Sequence, residues 1–176
     1  MSANLESLAD REAGISSWLY RQLFVKPLAP PTSAQLNNQT AVITGANIGL
    51  GFECSRQLLN MRLSHLVLAI QSEPKGRAAA SQLQAEFPYA RINVSLLDME
   101  SYDSIIQFVQ HCQHLPRLDI GILNAGVSKY KFERSPHTKH ESTLQITYLS
   151  TSLLAILLVL VLKTKRQGAL PGGYQL

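Results

Sequence analysis

Charge is sparse in this chain: Asp, Glu, Lys and Arg make up 16% of its 176 residues. The balance is only mildly basic, at a formal net charge of +4. Lys and Arg are scattered rather than banked on one helix, which argues against nucleic acid as a partner. Cysteine is scarce too. Cys54 and Cys112 fall in separate helical patterns without metal-ligand spacing, so neither a disulfide framework nor a metal site is expected. They read as reduced, semi-buried thiols of an intracellular, cytoplasmic protein. The first ten residues, M-S-A-N-L-E-S-L-A-D, carry acids and no apolar core, so no signal peptide is expected there. No apolar run reaches the ~20 residues of a membrane span. With 45% apolar residues the composition is globular, and the length suits one domain with a real core.

What the chain does have is one concentrated stretch, Thr40–Gly51, reading T-A-V-I-T-G-A-N-I-G-L-G. Thr40 to Ile43 have strand preference. The glycine-rich turn after them opens a helical pattern with Phe52, Cys54, Leu58, Leu59 and Met61. Such a strand, turn and helix start form an anion site, because backbone N–H groups and the positive helix end converge where a pyrophosphate would sit. Gly45, Gly49 and Gly51 suit the three jobs this loop requires: the turn, close backbone approach, and helix–strand packing.

Residues 1–38 read as an extension and linker. Ile15–Val25 has the pattern of a short amphipathic helix, with Trp18, Leu19, Leu23 and Phe24 apolar. It is expected to pack on its own domain rather than on a membrane. Pro27, Pro30 and Pro31 break it, and Ser33–Gln39 is polar.

Residues 39–166 read as one domain. The helix after the glycine turn should run to about Met61. Leu66–Ile70 is a continuous apolar run, as for a strand buried on both faces. Pro74–Gly76 punctuates, and Arg77–Phe87 carries helix formers. Arg91–Leu97 reads as a third strand. Ser101 caps a helix with Ile105, Ile106, Phe108 and Val109 apolar. Leu118–Leu123, after Pro116, reads as a fourth strand. Alternating strands and helices imply βαβ units with right-handed crossovers. The expected fold is α/β: a Rossmann-like parallel sheet flanked by helices, with about four strands.

The last apolar segment, Leu144–Leu162, has an unbroken stretch from Leu153 to Leu162, followed by Lys163, Lys165 and Arg166. Gln145, Thr147, Ser150, Thr151 and Ser152 interrupt its first half. A helix buried against a sheet or a partner subunit is expected rather than a membrane span, and it is a candidate surface for homo- or hetero-oligomers. Residues 167–176, with three glycines and a proline, read as an irregular tail.

T-G-A-N-I-G-L-G at Thr44–Gly51, L-L-D-M at Leu96–Met99 and L-N-A-G at Leu123–Gly126 resemble, in order and spacing, the short-chain dehydrogenase/reductase family. The wording is similar to fungal members associated with secondary metabolism. The resemblance covers roughly residues 38–163 and implies an oxidoreductase acting on a carbonyl or hydroxyl of a small metabolite. It implies that Gly45, Asn47, Ile48, Gly49 and Gly51 cradle the phosphates and adenosine ribose of a nicotinamide dinucleotide. Asp98 would accept from the adenine amino group, and Asn124 would steady the central sheet beside the nicotinamide ribose. The plainer readings are a helix-entry carboxylate for Asp98 and a turn residue for Asn124.

An acid at the end of the second strand would bind the ribose 2′-hydroxyl of NAD, while an Arg nearby would accept the 2′-phosphate of NADP. That end carries Gln71 and Ser72, with Lys75 and Arg77 close behind and Glu73 between them. NADP is therefore preferred over NAD.

The family's acid–base chemistry needs a Tyr with a Lys four residues on, the Lys lowering the phenol's pKa so that it can exchange a proton with substrate. Four residues past Tyr20, Tyr89, Tyr102, Tyr130 and Tyr148 stand Phe24, Asn93, Ile106, Arg134 and Ser152. Tyr174 lies too near the C-terminus for such a partner. The chain has no Tyr-x-x-x-Lys, and no catalytic residue is assigned. Q-I-T-Y-L-S-T at Gln145–Thr151 places Thr147 where the family has an Asn that organises a proton-relay water. The expected alternatives to a working enzyme are a non-catalytic dinucleotide-binding or partner-docking relative, and a truncated product without function.

Overall fold

A computed structural model of the chain describes residues 14–26 and 35–167. The chain divides into two compact units, Met1–Ala34 and Gln35–Leu176. In the first, α1 (Ile15–Phe24) forms where the apolar spacing predicts it, with Tyr20 and Phe24 stacked one turn apart. The prolines at 27, 30 and 31 lie outside the described residues.

The second unit is built on a four-stranded parallel sheet of order β3-β2-β1-β4. Its strands are β1 (Thr40–Thr44), β2 (His65–Ile70), β3 (Arg91–Leu96) and β4 (Ile120–Ile122). Between them run α2 (Gly49–Asn60), α3 (Glu73–Glu86) and α4 (Tyr102–His114). Every residue of β1 and β2 is buried, which is why both read as near-continuous apolar runs. Alternate residues serve the two faces, as the two-residue strand period requires. Ala41, Ile43, Leu66 and Leu68 pack in one core with Leu59, Leu83 and Phe87. Val42, Val67 and Ala69 pack in the other with Ile105, Phe108, Leu154 and Leu158.

Ser101 caps α4 as expected, its hydroxyl accepting from the Ser104 N–H at 3.3 Å. Among the strands and the helices between them, two elements differ from the sequence reading by more than one residue at a boundary. The third helix starts at Glu73 rather than Arg77, with Pro74 inside its first turn. Proline is suited there, since its missing N–H would have no intrahelical partner. The fourth strand has only three residues in the ladder, Ile120–Ile122. Just before it, Asp119 lends its carboxylate to the Thr40 N–H at 2.9 Å.

After β4 the chain reaches α5 (Ser142–Leu144), a π-helical turn (Gln145–Ser150) and α6 (Thr151–Gln167). The expectation of a buried helix over Leu144–Leu162 holds for one stripe only. Leu154, Leu158 and Val161 are buried, whereas Ile156, Val159 and Leu160 are exposed. The buried stripe packs with Val42, Val67 and Phe108, and no described element covers the other side of α6. By length and composition alone, the helical stretch Ser142–Lys165 is long and apolar enough to cross a membrane.

Candidate dinucleotide site

The sheet order reverses direction at β1, whose neighbours are β2 and β4. In an open parallel sheet a crevice forms at such a switch point, outside the carboxyl ends of the strands. A cavity of about 450 Å³ lies there, within the range of small-molecule sites. The ends of all four strands contribute: Gly45 after β1, Gln71 after β2, Asp98 after β3 and Asn124 after β4.

The glycine turn is shaped by backbone requirements. Gly45 and Gly49 have φ of +65° and +60°, the left-handed region where a side chain is strained. At Gly45 an added Cβ would stand 3.0 Å from the Ala125 Cα. At Gly51 it would stand 2.6 Å from the Gly45 carbonyl oxygen and 2.5 Å from the Asn124 amide nitrogen. Gly51 is thus a packing glycine beneath the turn. Gly49 differs, because a Cβ there would meet nothing within 4 Å and would project into open space at the start of α2. Bare backbone at a helix N-terminus, flanked by the cavity-lining Ile48 and Leu50, fits a diphosphate.

Asn124 and Ala125 tie the tip of β4 to the turn. The Asn124 side-chain amide donates to the carbonyls of Thr44 at 3.1 Å and Gly45 at 3.2 Å. The Ala125 N–H is accepted by the Thr44 hydroxyl at 2.9 Å. Asp98 is half-buried, and its Oδ1 accepts from the Glu100 N–H at 2.9 Å. Asp98 Oδ2 has no partner among the described residues and remains for a ligand donor. The structure brings Gly45, Asn47, Ile48, Asp98 and Asn124 to one cavity; Gly49 and Gly51 do not line it, Gly49 standing exposed at the start of α2 and Gly51 packed against the turn.

Several lining residues escape sequence reasoning: Ala69, Leu97, Met99, Val127 and Ile146. The first three sit at or just past strand ends, a position that itself signals the crevice. Val127 is held by Thr147 on the π-helical turn. The Thr147 hydroxyl donates to the Val127 carbonyl at 3.0 Å and accepts from the Val127 N–H at 3.3 Å. Behind it the buried Gln145 accepts from the Thr138 hydroxyl and donates to Ser150, each at 2.8 Å. Ser150 in turn donates to the Met99 carbonyl. A π turn is a rare irregularity that concentrates at functional sites, and here it links both walls of the crevice.

The profile of the short chain dehydrogenase family matches residues 39–170. The chain belongs to that family. It is 48% identical over 167 residues to the short chain dehydrogenase virL of Hypocrea virens, covering 95% of this chain and 49% of that protein. It is 53% identical over 148 residues to the short chain dehydrogenase/reductase mfmJ of Annulohypoxylon moriforme, covering 84% and 43%. It is 46% identical over 171 residues to the short chain dehydrogenase opdN of Penicillium oxalicum, covering 95% and 54%. The chain therefore spans about half the length of the curated relatives it matches. Among solved structures, L-sorbose reductase of Gluconobacter frateurii, complexed with NADPH and L-sorbose, superposes with a TM-score of 0.61 at 20% identity. That match covers 74% of this chain and 50% of the reductase. A short chain dehydrogenase of Escherichia coli CFT073, complexed with NADPH, gives 0.60 at 23%, covering 75% and 56%. These likenesses establish the Rossmann-like fold of the short chain dehydrogenases for this sheet.

Proposed function

We propose that the crevice binds a nicotinamide dinucleotide, NADP(H) in preference to NAD(H), in the service of carbonyl or hydroxyl redox on a small molecule of fungal secondary metabolism. The observation that carries the reading is one cavity at the carboxyl ends of the strands, lined by the glycine turn through Gly45, Asn47 and Ile48, by Asp98 and by Asn124. Gly45, Asn47, Ile48 and Gly49 cradle the diphosphate and adenosine ribose, Gly51 lets α2 approach the turn, and Asp98 takes the adenine amino group. Asn124 steadies the central sheet beside the nicotinamide ribose. When bound, the dinucleotide supplies the hydride. Preference for the 2′-phosphate rests on the neutral Gln71 at the end of β2 and on the unused hydroxyl of Ser72, which caps no N–H of α3. The one acid nearby, Glu73, is committed to Arg77 by a 2.5 Å ion pair one helical turn on.

This chain carries no Tyr-x-x-x-Lys, so its own residues hold the cofactor without moving the substrate proton. Acid–base assistance worth about 10²–10⁴ in rate is lost with that pair. A partner-docking role has its own support in the exposed Ile156, Val159 and Leu160 of α6, a surface for homo- or hetero-oligomers. In domain terms the reading is an N-terminal extension over 1–38, the dinucleotide domain over 39–166, and a tail over 167–176.

The test is titration of NADPH and NADH into the purified chain, followed by nicotinamide fluorescence and thermal shift. Saturable binding is expected, tighter for NADPH, with stabilisation growing as the logarithm of ligand excess over Kd. A well-folded chain that binds neither would overturn the reading.

A further inference from the structure

At the opposite end of the sheet a second cavity, of about 250 Å³, opens beside the first residues of β2 and β3. It is lined by His65 of β2, Arg91 and Asn93 of β3, and His111 and His114 of the last turn of α4. Leu115 and Pro116 close its floor, and no carboxylate lines it. We propose that this cavity is a second binding site, which takes a small oxyanion of the phosphate class against Arg91 and the three imidazoles.

The cluster is held in place rather than loosely exposed. The Asn93 side-chain oxygen accepts from His65 Nε2 at 2.8 Å and from Arg91 Nε at 3.0 Å. That shared acceptor fixes the base of the guanidinium and leaves its two terminal nitrogens without a hydrogen bond or ion pair among the described residues. A planar fork with free N–H groups is the side chain best matched to two oxygens of one anion. His114 donates through Nδ1 to the Gln110 carbonyl at 2.7 Å, which leaves Nε2 for a ligand. The volume falls below the roughly 300–1,000 Å³ that buries a drug-sized molecule. A small ion suits it better.

Cations are the weaker fit. Among the described residues no three His, Cys, Asp or Glu side chains cluster closely enough to hold a metal ion. The titratable groups facing the cavity are all basic: His65 from β2, Arg91 from β3, His111 and His114 from α4. The negative end of α4, which carries His111 and His114, opposes an anion placed directly beside it. The anion therefore sits against Arg91, with the imidazoles beside it. Burial, with Arg91 and His111 adding to it, holds the pKa of His65 below the usual histidine value; the Asn93 hydrogen bond opposes that shift. An anion would offset the repulsion and raise it.

The experiment follows the imidazole resonances of the labelled full chain while inorganic phosphate is added at pH 6.0 and 7.5. Sodium chloride at matched ionic strength serves as control. Saturable shifts at His65 and His111 are expected at both pH values, since Arg91 is charged at each. Arg91→Gln should abolish saturation. So should His111→Gln, at an exposed helix position where folding is preserved. Equal shifts with chloride, or saturation that survives Arg91→Gln, mean an adventitious ion only and overturn the proposal. Displacement by excess NADPH would place the phosphate in the dinucleotide crevice and overturn it too. Stoichiometric zinc binding at the three imidazoles would replace it with a metal site. Failure of NADPH to bind leaves the expected phosphate response unchanged, so the two readings fail separately.

Discussion

The side-chain amide of Asn124, at the tip of β4, donates to the carbonyls of both Thr44 and Gly45, at the end of β1. Two strands that diverge beyond their ladder are thereby stitched together at the crevice, by a side chain doing what backbone N–H groups do lower in the sheet.

Removing that stitch should be felt twice. Each hydrogen bond contributes about 0.5–1.5 kcal/mol, so Asn124→Ala is expected to cost about 1–3 kcal/mol by urea unfolding. Asn124→Asp should do worse, because a carboxylate faces two carbonyl oxygens. NADPH affinity, read by fluorescence, should fall in both. Unchanged stability in Asn124→Asp would remove the bracket from the account of the site.

Gly51→Ala and Gly49→Ala should separate packing from binding. An added methyl at Gly51 collides with a backbone oxygen and the Asn124 amide, neither the far end of a flexible chain. A cost of about 1–3 kcal/mol is expected for overpacking, read as a lower denaturation midpoint. At Gly49 the space is open, and the cost is the left-handed conformation alone, about 1–2 kcal/mol. Dinucleotide affinity should nonetheless fall at least as much there, since the methyl would stand on the bare α2 N-terminus proposed to take the diphosphate. Tighter NADPH binding by Gly49→Ala than by Gly51→Ala would contradict this.

Thr147 offers a third separation. Its hydroxyl both donates to and accepts from the Val127 backbone. Thr147→Val keeps the shape and loses both bonds, so weaker NADPH binding and faster amide exchange at Val127 are expected. Thr147→Asn restores a donor and an acceptor and should recover most of the affinity. If Thr147→Val binds as the parent does, the bracket has no part in holding the crevice wall.

His65 sets a pH response. Burial lowers its pKa in the folded chain, so the unfolded chain binds more protons between the two values. Its contribution is whole above the unfolded pKa, near ~6.5, and is lost as pH falls through that value toward the folded one. Tm in phosphate-free buffer should fall between pH 7.5 and 5.5, and His65→Gln should flatten part of that fall. An unaltered slope in the variant would assign it to other groups.

The strands and the glycine turn were legible because burial on both faces writes itself as apolar runs, and left-handed turns as glycines. Pro74 misled, since a proline reads as punctuation whether it precedes a helix or sits in its first turn. β4 was overlong in the reading because Leu118 is fully buried and apolar, like a strand residue, although the ladder begins only at Ile120. The Thr147–Val127 bracket left no trace, because it joins segments 20 residues apart through a π turn that has no composition of its own. The histidine cavity was equally invisible: His65, Arg91 and His111 are dispersed along the chain and meet only through strand order.

Strand order also sets which amides are last to open. β1 has a hydrogen-bonded neighbour on each side and no exposed residue, whereas β4 is short and pairs, among the described strands, with β1 alone. Local opening should begin at β4 and reach β1 only with global unfolding, so deuterium uptake at Val42 and Ile43 should report the full free energy of the domain. The glycine turn is rooted in that slowest strand. Its anion-facing backbone should outlast the crevice walls, persisting in partly opened forms where the adenine-side and β4-side contacts have already let go.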